Sequence, residues 1–219
     1  SLVTRSRVFS PWTAFYFLQS LLINLGLGYP FSLLYTAAFT AILLLLWRTL
    51  PRVQKVLVGI SSLVAACYFP FAQAYGAPNF NTLLALHSTN MEESTEILTI
   101  FPWYSYMVGI FIFVLGVIAI RRKKESEKAR WNTFDSLCLV FSVATFFVAP
   151  VQNLAWGGVF KLKDTGYPVF RFAKDVIVNN NEVIEEQERM AKLSGMKDTW
   201  TVTAVKPKYQ TYVVVIGES

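Results

Sequence analysis

The sequence predicts a mainly α, polytopic membrane protein: five transmembrane helices, outer and interfacial helices, then the first strand of a missing α/β domain. Three observations predict it. Apolar residues make up 54% of the 219 positions and charged residues only 16%. The apolar residues also fall in blocks, five of which approach the roughly 20 residues of helix that a bilayer core of about 30 Å requires. Finally, Tyr212 to Ser219 reads YVVVIGES, a short unbroken apolar run that fits a strand covered on both faces.

The predicted spans are residues 9–28, 30–47, 56–75, 101–120 and 134–156. None carries a charge well inside. Asp135 falls near the start of the fifth, and Arg48, Lys55 and Arg121 lie at span edges. Trp12, Tyr29, Trp47, Tyr75, Trp103, Tyr104 and Trp156 sit near span ends, where aromatic rings favour the headgroup layer. The first span lacks a clear small-residue cleavage site and another span follows at once, so it reads as a retained signal anchor. Because the chain opens on Ser1 rather than Met, a trimmed N-terminus is expected.

The cations set the expected direction. Lys and Arg number 20 against 14 acids, a net charge of +6, and six of the cations crowd into residues 121–130. Arg5 and Arg7 precede the first span, and Arg48, Arg52 and Lys55 separate the second from the third. The connections at 28–29 and 76–100 have none. With five spans all basic segments share one side, which places the N-terminus in the cytoplasm and everything after Trp156 outside. This clustering is a topology signal rather than a nucleic-acid surface. Cys67 and Cys138 both fall in apolar spans and read as packing residues; His87 is the one histidine.

Three regions follow: a transmembrane domain at 1–158 with an outer loop at 76–100, periplasmic amphipathic and bridging helices with a connector at 159–209, and the terminal strand at 210–219. The outer loop has three acids and no bases. Thr89 with Glu92, or Asn90 with Glu93, has the spacing of a capping box at a helix start. Thr89 and Glu93, one turn apart, would also share a face at the membrane surface. A carboxylate there suits the ammonium of a lipid headgroup, with Thr89 or Asn90 donating hydrogen bonds. Spacing leaves both readings open. Further on, residues 170–177 mix aromatic, aliphatic and basic side chains, as an interfacial helix does. Asn179 to Asn181 reads as a break, 182–193 as a charged helix with Glu186 and Arg189 at helical spacing, and Gly195 as its end.

Five spans, an acidic outer loop, interfacial helices and a terminal VVVIGES together resemble the bacterial phosphoethanolamine transferases. These are inner-membrane enzymes of the alkaline phosphatase superfamily. The likeness runs through AYGAPNFNTLLALHSTNMEESTEIL and VQNLAWGGVFKLKDTGYPVFRFAKD and covers the whole chain. It implies transfer of phosphoethanolamine from phosphatidylethanolamine to a glycan. Osmoregulated periplasmic glucan is the favoured acceptor, and lipid A or core sugars are the alternatives. It further implies that Glu218 is a zinc ligand, and that a zinc-activated threonine nucleophile and the remaining ligands lie downstream. The headgroup residues of the family map onto Thr89 and Glu93, whereas an asparagine found in several members is Ala85 here, with Asn81 or Asn90 as substitutes. On this reading the 219 residues alone catalyse nothing.

Three other readings are weighed. A transporter usually carries ionisable groups at mid-membrane depth, and these spans offer only neutral polar groups there, such as Gln19, Asn24 and Gln73. A non-catalytic membrane anchor predicts that Glu218 is dispensable. A glycerol-phosphate transferase or sulfatase-like enzyme would differ in donor chemistry.

Overall fold

The computed structural model describes residues 10–89, 91–123 and 131–196, without the side chains of residues 91–94. Helix α1 spans Pro11–Gly26, and α2 Leu33–Thr49. Next come α3, Pro51–Tyr75, and two short helices, α4 (Phe80–Ser88) and α5 (Met91–Ile100). Helices α6 (Trp103–Arg121) and α7 (Thr133–Ala155) follow. A 3-10 turn at Leu162–Asp164 then leads to α8, Pro168–Ser194. The residues up to Val183 form one compact unit, and those from Ile184 onward a second.

Among the described residues, three helices rather than the predicted five are long and apolar enough to cross a membrane: α3, α6 and α7. The expected spans at 9–28 and 30–47 condense to helices of 16 and 17 residues. At about 1.5 Å per residue these reach roughly 24 and 26 Å, short of the ~30 Å core. Local chemistry explains the shortening. Ser10 caps α1 and Pro11 occupies its first position, where a missing N–H does no harm. Gly28 then takes a positive φ of 89°, and Ser32 accepts from the Tyr35 amide to start α2 only at Leu33. The apolar stretch that reads as helix in sequence is therefore partly turn. No strand occurs among the described residues; the predicted strand at 210–219, with Glu218, lies outside them.

Close approach of small residues holds α3 against α6. A Cβ on Gly109 would lie 2.7 Å from the carbonyl oxygen of Ala66, and one on Gly116 2.7 Å from Ser62 Cβ. In a bilayer, where apolar side chains gain little from leaving lipid, such backbone proximity supplies packing energy. Neutral polar pairs add interhelical bonds. Gln19 Nε2 donates to Ser62 Oγ at 2.7 Å, Thr40 Oγ1 to Ser20 Oγ at 3.3 Å, and Asn24 Nδ2 to Thr36 Oγ1 at 3.4 Å. The core around them is built on Tyr16, Ile23, Phe39, Leu43, Val58 and Ile112.

After α7 the chain reverses at Gly157, φ 84°, and returns along that helix. Thr165 Oγ1 donates to the Phe146 carbonyl at 3.1 Å, and Tyr167 Oη to the Ser142 carbonyl at 2.8 Å. Tyr167 is fully buried, packed against Tyr35 and Phe146. Only a glycine fits beside it, since a Cβ on Gly166 would sit 2.0 Å from the Tyr35 hydroxyl. Helix α8 then runs unbroken through Asn179 to Asn181, which corrects the predicted break. Two of its asparagines have partners within the helix or on a neighbour: Asn179 Nδ2 donates to the Asp175 carbonyl at 2.6 Å, and Asn180 Oδ1 meets His87. The helix stops at Ser194, before Gly195, as the sequence predicts, and Glu186 pairs with Arg189 at 2.7 Å.

Candidate functional site

The acidic loop of the sequence folds into α4 and α5, which flank a cavity of about 460 Å³ beside the end of α3. Asn79, Asn81, Thr82 and Thr89 give it a polar lining, and Phe71, Tyr75, Leu86, Ile97 and Leu98 an apolar one. Concave sites of this kind, apolar with a few convergent polar groups, are where small molecules and headgroups bind.

Local sequence positions each polar residue. Asn79 caps α4: its Oδ1 accepts from the Thr82 amide at 3.0 Å and from the Thr82 hydroxyl at 3.1 Å. That spacing faces Asn81 and Thr82 into the cavity from the first turn, and Ala85 one turn on. At the far end of α4 the Thr89 hydroxyl donates to the Ala85 carbonyl, which commits its proton and leaves its oxygen to accept. His87 Nε2 pairs with Asn180 Oδ1 at 2.8 Å; with oxygen as the acceptor, the proton sits on Nε2. This contact ties α4 to α8.

Of the predicted headgroup residues, Thr89 lines the cavity. Helix α5 begins at Met91, beside the expected helix start. Asn90 lies outside the described residues, and so do the side chains of Glu92 and Glu93. Asn81, the expected substitute for the family asparagine, lines the cavity, and so does Ala85. Asn79, Thr82 and the aromatic wall of Phe71 and Tyr75 were not singled out from sequence. The Asn79-x-x-Thr82 spacing, a helix N-cap signature, carried that signal.

A second constellation sits at the start of α8. Tyr29 Oη donates to Asp175 Oδ2 at 2.7 Å. Arg171 lies 3.7 Å from the same oxygen, and its guanidinium rests 4.8 Å from the Tyr29 ring centroid. Lys174 reaches Asp164 at 3.5 Å and Asp175 at 3.9 Å. The cations of the predicted interfacial helix, Arg171 and Lys174, are thus engaged by carboxylates of the protein. Burial, reinforced by the hydrogen bond to Asp175, pushes the Tyr29 phenol well above its ordinary range, so it remains a donor.

No three His, Cys, Asp or Glu side chains gather in a metal-binding group among the described residues. These residues therefore do not form a zinc site, and Glu218 lies outside them.

Three long apolar helices and an amphipathic cavity beside one of them define a multi-pass membrane protein. Comparison with known proteins narrows the class. The chain is 98% identical over all 219 residues to the phosphoethanolamine transferase OpgE of Escherichia coli, spanning 42% of that protein. It is 22% identical over 158 residues, 72% of its length, to a putative phosphoethanolamine transferase of Haemophilus influenzae, of which the match covers 29%. It belongs to the phosphoethanolamine transferase family, as a portion under half the length of these relatives. No family model matches the chain, and no solved structure matches it.

Proposed function

We propose that the chain is the membrane portion of an enzyme that takes phosphoethanolamine from phosphatidylethanolamine, and that the α4–α5 cavity receives the donor headgroup. The observation that carries this reading is the convergence of Thr89, Asn81 and Thr82 on one cavity with Phe71 and Tyr75. A phosphoethanolamine headgroup presents acceptor oxygens and one ammonium. Asn81 is a donor for the oxygens, the Thr89 oxygen is left to accept from the ammonium, and an aromatic face together with the carboxylate of Glu93 suits that charge. Asn90 adds a further donor. The diacylglycerol part of such a donor stays in the bilayer, so a cavity beside a membrane-spanning helix delivers the phosphorus without extracting the lipid. Near-identity to a phosphoethanolamine transferase supports the same donor chemistry.

Zinc held in part by Glu218, with ligands beyond this chain, is the proposed cofactor; when bound it supplies positive charge that polarises a phosphoryl oxygen. The proposed acceptor is a periplasmic glucan, with lipid A or core sugar as the alternative glycan. The proposed site is the bacterial inner membrane, with the basic end of the bundle cytoplasmic and the cavity periplasmic. This orientation follows from the cations at 48–55 and 121–130 and their absence from 76–100.

The test is transfer from radiolabelled phosphatidylethanolamine by the full-length enzyme. Thr89→Val, Asn81→Ala and Glu93→Gln should each lower kcat/KM by about tenfold, the value of one hydrogen bond to a charged group, with the fold unchanged by melting. Full activity in all three variants rejects the cavity as the donor site. Full activity of Glu218→Gln with unchanged zinc content rejects the metal assignment.

A further inference from the structure

At the end of the bundle away from the cavity, Arg122 lies between two indoles. Its guanidinium is 4.2 Å from the Trp12 ring centroid and 4.3 Å from that of Trp47, and it donates to Tyr16 Oη at 3.4 Å. Lys55 Nζ approaches the same Trp47 ring at 5.8 Å. Two cations from different helices therefore share one aromatic ring. The guanidinium packs against two indoles and spends one of its five N–H donors on Tyr16, which leaves others to meet a ligand. Arg52, Arg121 and Lys123, next to them in the chain, are exposed. Among the described residues the carboxylate at this end is Asp135, and it is engaged by Arg48.

With the described carboxylate at this end already paired, an anion bound beside Trp47 would balance both cations. The neighbourhood identifies which anion. Trp12 and Trp47 occupy helix ends, where indoles mark the headgroup layer, and Val53 and Val56 of α3 expose large apolar side chains beside the cations. A ligand here meets positive charge at the headgroup level and hydrocarbon next to it. We propose that Lys55 and Arg122 form a binding site for the phosphate of an anionic glycerophospholipid, whose acyl chains lie along α3. Basic pockets between helices at the membrane surface have this ligand chemistry. The site is remote from the donor cavity, and it favours a net negative headgroup over the zwitterionic phosphatidylethanolamine of the proposed reaction.

The test is native mass spectrometry of the full-length protein in detergent. It is equilibrated separately with phosphatidylglycerol, phosphatidylcholine, phosphatidylethanolamine and inorganic phosphate. The wild type should retain phosphatidylglycerol over both zwitterionic lipids. Lys55→Gln and Arg122→Gln should each weaken that retention about fivefold, the effect of one interfacial cation, and Arg122→Lys should restore most of it. Equal retention of all three lipids overturns the proposal, as does an unchanged preference in the double variant. If inorganic phosphate competes fully at millimolar concentration, the site takes a soluble anion and the lipid assignment falls. Should Arg122→Gln fail to fold, Lys55→Glu, at a residue that only edges the stack, carries the same comparison.

Discussion

Tyr29 and Asp175, 146 residues apart, are joined by a 2.7 Å hydrogen bond from phenol to carboxylate. Tyr29 is buried in the turn between α1 and α2, while Asp175 lies two turns into α8. The same carboxylate draws in Arg171 and Lys174. A hydrogen bond to a charged acceptor in a half-buried setting is stronger than one between neutral groups. The contact therefore fixes the first turns of α8 against the bundle, and His87 with Asn180 links the same helix to α4, which lines the cavity.

Tyr29→Phe should accordingly destabilise the full-length protein by about 1.5–3 kcal/mol, the range for a hydrogen bond to a charged group, measured by thermal unfolding in detergent. The pH dependence has a definite sign. The folded state holds the phenol protonated above its ordinary pKa, through burial first and the Asp175 bond second. Its contribution is fully present below the ordinary tyrosine value of about 10 and is lost as pH rises above it. Wild type should lose stability above that pH more steeply than Tyr29→Phe; parallel alkaline limbs contradict the assignment.

The three long spans were legible because their apolar runs exceed a bilayer's width without interruption. Predicted residues 56–75, 101–120 and 134–156 became Pro51–Tyr75, Trp103–Arg121 and Thr133–Ala155. The first two expected spans were misjudged in length. The expected spans count Leu27 and Phe31 as helix, while Gly28 and the Ser32 cap leave them between α1 and α2. Asn179 to Asn181 misled for a related reason: asparagine weakens an isolated helix, but here two of the three amides have partners the sequence does not display. Thr89, singled out by its spacing to Glu93, does line the cavity. The aromatic wall from Phe71 and Tyr75 was not legible, since both read as the end of a span.

Packing of α3 on α6 distinguishes two glycines. At Gly109 an added methyl meets the Ala66 carbonyl at 2.7 Å, which is backbone and cannot yield locally; at Gly59 it meets the tip of Ile120 at 2.9 Å, a flexible side chain. Gly109→Ala should cost about 1–3 kcal/mol by forcing the helices apart, whereas Gly59→Ala should stay within about 0.5 kcal/mol of wild type. Unfolding of each variant in the same detergent compares them directly, and equal losses would rule out close backbone approach as the cause.

Asp135 has two tasks at the start of α7. Its carboxylate accepts from the Asn132 amide at 3.0 Å to complete a capping box, and it forms an ion pair with Arg48 of α2. The side chain is almost wholly buried, so removing the charge takes a buried ion-pair partner from Arg48. Asp135→Ala should destabilise by about 3 kcal/mol or more. Asp135→Asn keeps an acceptor for the cap and should lose less. If the two variants melt together, the cap contributes nothing beyond the charge.

Orientation can be read from two exposed positions on either side of α7. Lys123 follows α6 and Val159 follows α7, and both are exposed. One membrane-spanning helix separates them, so they lie on opposite faces of the bilayer whatever path α1 and α2 take. In the orientation proposed above, which rests on the six cations at 121–130, Lys123 lies on the cytoplasmic face. With Cys67 and Cys138 replaced by serine, Val159→Cys should react with a membrane-impermeant maleimide in intact cells whose outer membrane has been opened. Lys123→Cys should react only after lysis. The reverse pattern would place the α4–α5 cavity on the cytoplasmic side and reject it as the proposed donor site, since a periplasmic glycan would be out of reach.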